Sequence, residues 1–67
     1  MIKFSVNGKI FELENDINVY EFLAQNGYEI KFIALERDGE ILPKKLWHER
    51  LMSEGKAYEI VTLVGGG

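Results

Sequence analysis

The chain of 67 residues contains no cysteine and only one histidine, His48. Small secreted domains usually need disulfides to stabilise a limited core, so the absence of cysteine predicts a protein of the reducing cytoplasm. A zinc site usually needs several cysteine or histidine ligands, and the chain offers too few of them. Stability is therefore expected to come from apolar packing in one small domain.

Long apolar runs and clusters of basic residues are also missing. No run approaches the roughly 20 residues that cross a bilayer, and no basic segment followed by an apolar one suggests a signal peptide. Lys and Arg number 8 against 11 Asp and Glu, and the net charge is −3. Nucleic acids and anionic membranes both require a basic surface, so neither is an expected partner.

Alternating apolar and polar residues on both sides of Asn7-Gly8 predict a β-hairpin. Asn-Gly favours a type I′ turn because both central residues need positive φ. A two-residue loop places Phe4 opposite Phe11 on the buried face. In the same register Ile10 falls on the outer face, where the alternation calls for a polar residue.

The remaining pattern predicts one helix and three further strands. Asn18 is a good N-cap for a helix over 18–26, and Gly27 suits the residue that follows its end. Strands are predicted over 32–37, 40–42 and 57–64, and a loop over 44–50 places Trp47 on the core. This order favours a mixed sheet with the last strand in the middle, parallel to the first, and the helix on one face. The predicted fold is α+β, of the ubiquitin-like β-grasp type with about five strands.

Three glycines, Gly65-Gly66-Gly67, follow the last predicted strand. We divide the chain into a domain over 1–64 and a flexible tail over 65–67. Glycine has no Cβ, so this tail can enter a channel that is too narrow for side chains. It can extend about 10 Å and present the α-carboxylate of Gly67 to the active site of another protein.

No catalytic group is predicted within the domain. His48 lies in a charged stretch and is interpreted as a surface residue, and no serine or threonine lies in a nucleophile elbow. Alternation in the last strand assigns Tyr58, Ile60 and Thr62 to the core. Apolar residues on the opposite face, close to the tail, predict a docking surface for a partner. The residues of this predicted surface are Ile10, Glu59, Val61 and Leu63.

With these features the whole chain resembles the ThiS family of sulfur carrier proteins, within the ubiquitin-like β-grasp superfamily. The resemblance rests on the Asn7-Gly8 hairpin, on residues 40–43 followed by Trp47, and on residues 58–61 leading into the glycines. The Gly-Gly ending is shared with the small subunit of molybdopterin synthase and with ubiquitin-related modifiers. The short length, without an insertion near the helix, favours ThiS.

The resemblance implies a relay of sulfur through Gly67. An E1-like adenylating enzyme of the ThiF type would use ATP and Mg²⁺ to activate the carboxylate. A cysteine desulfurase would supply sulfur through a persulfide, and the resulting thiocarboxylate would serve thiazole synthase (ThiG) in thiamin biosynthesis. The chain would be a protein co-substrate that binds no cofactor and supplies no catalytic side chain.

Two alternatives stay open at this point. The chain could carry sulfur for molybdopterin or another thiolated product, which changes only the acceptor enzyme. It could also be a ubiquitin-like interaction module whose tail is not activated, or is conjugated to lysines. The last alternative differs in whether the terminal carboxylate becomes a thiocarboxylate.

Overall fold

A computed structural model describes residues 1–63, and within them the chain forms five strands, one α-helix and two 3₁₀ helices. The strands are β1 (Ile2–Val6), β2 (Lys9–Leu13), β3 (Ile33–Arg37), β4 (Glu40–Ile41) and β5 (Ala57–Thr62). The helix α1 covers Val19–Gln25, and the 3₁₀ helices cover Ile30–Phe32 and Lys44–Leu46. The sheet order is β2-β1-β5-β3-β4, with β5 parallel to β1 and antiparallel to β3. The predicted β-grasp arrangement with a central last strand is confirmed.

The β1–β2 hairpin has the predicted register. Phe4 lies opposite Phe11, and Ser5 lies opposite Ile10. Asn7 and Gly8 have φ values of 50° and 83°, as a type I′ turn requires. The Phe4 and Phe11 rings stack with centroids 5.9 Å apart, which stabilises the inner face of the hairpin.

Helix α1 packs its apolar side on this hairpin. The Asn18 side chain accepts a hydrogen bond of 2.8 Å from the Glu21 N–H and caps the helix start, as predicted. Phe22 is buried, and its ring meets Phe4 edge-on at 5.3 Å and Phe11 at 5.1 Å. The helix therefore covers the inner face at the hairpin and leaves the outer face of the sheet uncovered.

The core continues under the loop between β4 and β5. Trp47 is only 1% exposed, and its Nε1–H donates to the Leu42 carbonyl at 2.9 Å. The buried Tyr58 hydroxyl accepts a hydrogen bond of 2.9 Å from the Ser53 N–H. Both polar groups are thus satisfied. The buried core residues are Phe4, Val6, Val19, Phe22, Leu23, Ile33, Leu35, Leu42, Trp47, Met52 and Tyr58.

The turn between β3 and β4 fixes the start of β5. The Asp38 carboxylate accepts a hydrogen bond of 2.8 Å from the Ala57 N–H, and the Asp38 N–H donates to the Ala57 carbonyl at 2.7 Å. The Lys56 ammonium lies 3.5 Å from the same carboxylate. The hydrogen bond from Ala57 and the charge of Lys56 lower the pKa of Asp38 below its ordinary value. The central strand is therefore anchored at its beginning.

Two predicted features of β3 and β5 differ from the structure. β3 begins at Ile33, one residue later than predicted, because Phe32 closes a 3₁₀ turn through a 2.9 Å bond from its N–H to the Glu29 carbonyl. The assignment of Thr62 to the core is wrong, because its residue is exposed. Thr62 lies four residues beyond Tyr58, the last β5 residue that pairs with β1, so among residues 1–63 it has no neighbouring strand on that side. The predicted extension of the last strand to Val64 falls outside the described residues.

Candidate functional site

The base of the glycine tail is the end of the central strand. Gly65, Gly66 and Gly67 lie outside the described residues, so the structure defines the site up to Leu63. The Leu63 N–H donates to the Phe32 carbonyl at 2.6 Å, which continues the pairing of β5 with β3 past Thr62. The last described residue before the tail is therefore bonded to the sheet.

The hairpin turn also holds β5. The Asn7 N–H donates to the Tyr58 carbonyl at 2.9 Å, and the Asn7 side-chain oxygen accepts a 2.7 Å hydrogen bond from the Ile60 N–H. Asparagine tolerates the positive φ of this turn better than most residues, and its side chain here replaces a strand partner. The sequence predicted Asn7 only as a turn residue. No local signal could show a contact across 53 positions.

The predicted docking residues are exposed. Val61 and Leu63 are 47% and 51% exposed, and Ile10 is 58% exposed. Glu59 is exposed as well. Alternation along the strands directs all four away from α1, onto the outer face of the sheet.

The register does not bring Ile10 next to the other three residues. Ile10 lies opposite Ser5, and Ser5 lies beside Ala57 at the start of β5. Val61 is four residues farther along β5, at a distance of about 13 Å along the strand. Ile10 is therefore at the opposite end of the outer face from the base of the tail.

Two residues of the β3 side take the place of Ile10 near the tail. Ala34 lies opposite Val61, and Phe32 is bonded to Leu63 through the backbone and is 54% exposed. The sequence did not predict Phe32 as part of this site, because the extra 3₁₀ turn was not recognised. The sequence did contain one indication: Phe32 is a large aromatic residue that the alternation of the strand, with Ile33 directed inward, places on the outer face.

The described residues contain few other reactive groups. The exposed His48 ring stacks on Tyr20 with centroids 4.1 Å apart. Residues 1–63 contain no cluster of three or more His, Asp or Glu side chains that could hold a metal ion. No helix in this range is long and apolar enough to span a membrane.

Comparison with known proteins agrees with the fold. The model of the ThiS family matches residues 4–67, which include the glycines. The chain belongs to the ThiS family. The residues of the ubiquitin-like fold, including the central last strand, and those of the Gly-Gly ending thus fall within one family match.

Relatives of this ThiS-family chain include a named sulfur carrier. The sulfur carrier protein ThiS of Bacillus subtilis is 35% identical over 63 residues, which cover 92% of this chain and 96% of that protein. A crystal structure of the thiamine biosynthesis protein ThiS from Geobacter metallireducens matches with a TM-score of 0.80 at 28% identity. That match covers 98% of this chain and 100% of the Geobacter chain.

Another relative is longer. A thiazole synthase from Paramagnetospirillum magneticum is 30% identical over 66 residues, which make up 98% of this chain and 20% of that protein. The ThiS-family chain thus resembles both a separate small carrier and one segment of a protein named thiazole synthase.

Proposed function

We propose that this chain carries sulfur for thiazole formation in thiamin biosynthesis, as a thiocarboxylate on Gly67. The observation that carries the proposal is the glycine tail, which leaves the anchored central strand of a ThiS-family domain. Because β5 is bonded to β1, β3 and the Asn7 turn, the domain holds the strand that leads into the tail in a fixed position. The function of the domain is then to deliver the Gly67 carboxylate, or the thiocarboxylate formed from it, to the active sites of partner enzymes.

The chemistry explains why the carrier needs an activating partner. A carboxylate is a poor electrophile, since its oxygen is a poor leaving group. When the Gly67 carboxylate attacks the α-phosphorus of ATP, pyrophosphate leaves and an acyl-adenylate forms. A persulfide sulfur then attacks the acyl carbon and AMP leaves, after which a second thiol cleaves the S–S bond and leaves a thiocarboxylate on Gly67.

Three partners follow from this sequence of reactions. An E1-like adenylating enzyme holds ATP and Mg²⁺, a cysteine desulfurase supplies the persulfide sulfur, and thiazole synthase accepts it. The resemblance to one segment of a longer protein that is named thiazole synthase supports this choice of acceptor. The chain itself contributes the reacting carboxylate and the surface that docks.

Intact mass spectrometry tests the proposed function. The chain is incubated with the adenylating enzyme encoded in the same genome, ATP, Mg²⁺ and a sulfur source. A mass gain equal to the exchange of one oxygen for sulfur is expected, followed by its loss when thiazole synthase and its other substrates are added. A thiocarboxylate that thiazole synthase does not consume indicates another acceptor pathway. An unchanged mass indicates an interaction module without a carrier function.

We place the docking surface at the tail end of the outer face, on Phe32, Glu59, Val61 and Leu63. The double variant with Val61→Asp and Leu63→Asp should bind the adenylating enzyme at least about tenfold more weakly, a loss of about 1.4 kcal/mol. The reason is that the two carboxylates would have to lose their hydration when this apolar surface is buried against the enzyme. Titration calorimetry measures the affinity, and the unfolding free energy should change by less than about 0.5 kcal/mol per substitution.

Leu51→Asp is the matched control for this surface. Leu51 is 48% exposed, close to the value for Val61, and it pairs with Asn18 at the start of α1. The base of the tail lies near the other end of the helix, where Tyr28 and Thr62 line one groove. Equal losses of affinity in the control and in the double variant would show that the outer face has no special role.

A further inference from the structure

One edge of the central strand is open near the tail. β1 pairs with β5 at Ser5 and Val6, whereas β3 pairs with β5 as far as Thr62. Within residues 1–63, the end of β5 therefore has a neighbouring strand on one side only. Unpaired strand edges are common sites for the addition of another strand.

The direction of the backbone groups defines this edge. Successive residues of an antiparallel pair direct their N–H and C=O groups alternately toward and away from the partner. The bond from Leu63 to Phe32 shows that the backbone N–H and C=O groups of odd-numbered residues in this segment point toward β3. The bond from Ile60 to Asn7 shows that even-numbered residues face the side of β1. The Ile60 carbonyl and the Thr62 N–H thus point into the space that β1 has left, and no residue from 1 to 63 bonds to either.

Two grooves that share Tyr28 lie near the two ends of this edge. One has a volume of about 470 Å³ and is lined in part by Tyr28, Phe32 and Thr62. The other, of about 380 Å³, is lined in part by Asn7 and again by Tyr28. The open edge extends from Ile60, which is bonded to Asn7, to Thr62, so Asn7 of one groove and Thr62 of the other mark its two ends. Peptides that add to a sheet use both elements: main-chain hydrogen bonds give affinity, and pockets for alternate side chains give specificity.

The length of the tail decides which molecule reaches the edge. Four residues follow Leu63, and fully extended they span at most about 14 Å. An enzyme that holds the Gly67 carboxylate must therefore place its surface within that distance of Leu63. The N–H of Thr62 is one residue away from Leu63, so the open edge lies within reach of the enzyme surface.

We propose that an extended segment of the adenylating enzyme pairs with this edge and becomes an additional strand beside β5. It accepts a hydrogen bond from the Thr62 N–H, donates one to the Ile60 carbonyl and places an apolar side chain against Tyr28. This inference rests on the proposed function and adds the kind of contact that the enzyme makes. It differs from the docking surface on the outer face in using backbone groups of the open edge, although Phe32 and Leu63 belong to that surface and also line the first groove.

Hydrogen exchange of individual amides tests the pairing. The chain is exchanged free and in complex with the adenylating enzyme encoded in the same genome, and the amides are read by NMR after quenching and release. In the free chain the Thr62 amide should exchange fast, whereas the Val61 amide, which faces β3, should be protected. In the complex the Thr62 amide should slow by at least about tenfold. Fast exchange of the Thr62 amide in the complex would overturn the proposal.

Backbone variants test it independently. Thr62→Pro removes the N–H at the open edge and leaves the ladder to β3 intact, so this variant should fold. Thr62→Val keeps the N–H and measures the contribution of the side chain alone. The adenylating enzyme should bind Thr62→Pro at least about tenfold more weakly than Thr62→Val. Val61→Pro should unfold the domain, since its N–H faces β3.

The outcomes separate this inference from the proposed function. If ATP–pyrophosphate exchange shows that the parent chain is activated, and Thr62→Pro binds as well as Thr62→Val, the edge pairing is wrong and the carrier function stands. If the parent chain is not activated, both fail. Protection of the Thr62 amide that rises with the concentration of the free chain, together with a dimer in sedimentation equilibrium, would assign the edge to a second copy and overturn the proposal.

Discussion

Deleting Gly67 should nearly abolish adenylation of the chain. The variant ends at Gly66, whose carboxylate is chemically equivalent but retracted by about 3.5 Å. Because a misplacement of about 1 Å can reduce a rate about 100-fold, ATP–pyrophosphate exchange with the adenylating enzyme should fall by at least that factor. Adding one residue after Gly67 should block exchange as well, until the residue is removed.

Gly66→Val tests the second requirement of the tail, its lack of side chains. A β-branched residue restricts the backbone and is too wide for a narrow channel, so exchange should be lost although the carboxylate is in place. All three variants should melt like the parent, since the buried core residues lie between Phe4 and Tyr58. Comparable exchange in the parent, deletion and extension forms would make the tail a passive terminus and favour a ubiquitin-like interaction module.

The other large effect is expected in the core, from Phe22→Ala. The buried Phe22 ring contacts the rings of Phe4 and Phe11 where helix and hairpin meet. Its removal should leave a cavity and lower the free energy of unfolding by about 3–5 kcal/mol. Domains of this size have few kcal/mol to lose, so the variant should be largely unfolded at moderate urea concentrations.

Phe32→Ala is the matched control for stability. It removes the same side chain at a position that is 54% exposed. The free energy of unfolding should therefore change by less than about 0.5 kcal/mol, and the urea midpoint should move little. If the two alanine variants lost equal stability, the helix–hairpin contact would not be the centre of the core.

The features that could be predicted from the sequence depend on neighbouring residues. The Asn7-Gly8 turn fixes the pairing of Phe4 with Phe11, because a two-residue loop leaves one register. The N-cap at Asn18 and the inward side of α1 follow equally from local pattern. The central position of β5 was inferred from the order of elements, and the structure confirms it.

The features that could not be predicted depend on strands that are distant in sequence. Alternation gives the face of a strand on which a residue lies but not what covers that face, so Thr62 was wrongly assigned to the core. The separation of Ile10 from Val61 follows from the β1–β5 register, which no turn specifies. The bond between Asn7 and Ile60 has the same origin. The sequence therefore predicted that Glu59, Val61 and Leu63 share an exposed face, but not that Ile10 lies away from them, and their role in docking stays a prediction.

The central position of β5 has a consequence for the synthesis of the protein. The strand made last joins two halves, β2-β1 and β3-β4, which have no pairing with each other before it is added. Contacts between the first and last strands have high contact order and form late in folding. A chain released early by the ribosome, before β5, thus lacks the tail and also lacks a completed sheet. A truncated product without β5 and the residues after it is expected to lack the proposed docking residues Glu59, Val61 and Leu63, so it should not compete with the full chain for the proposed adenylating enzyme.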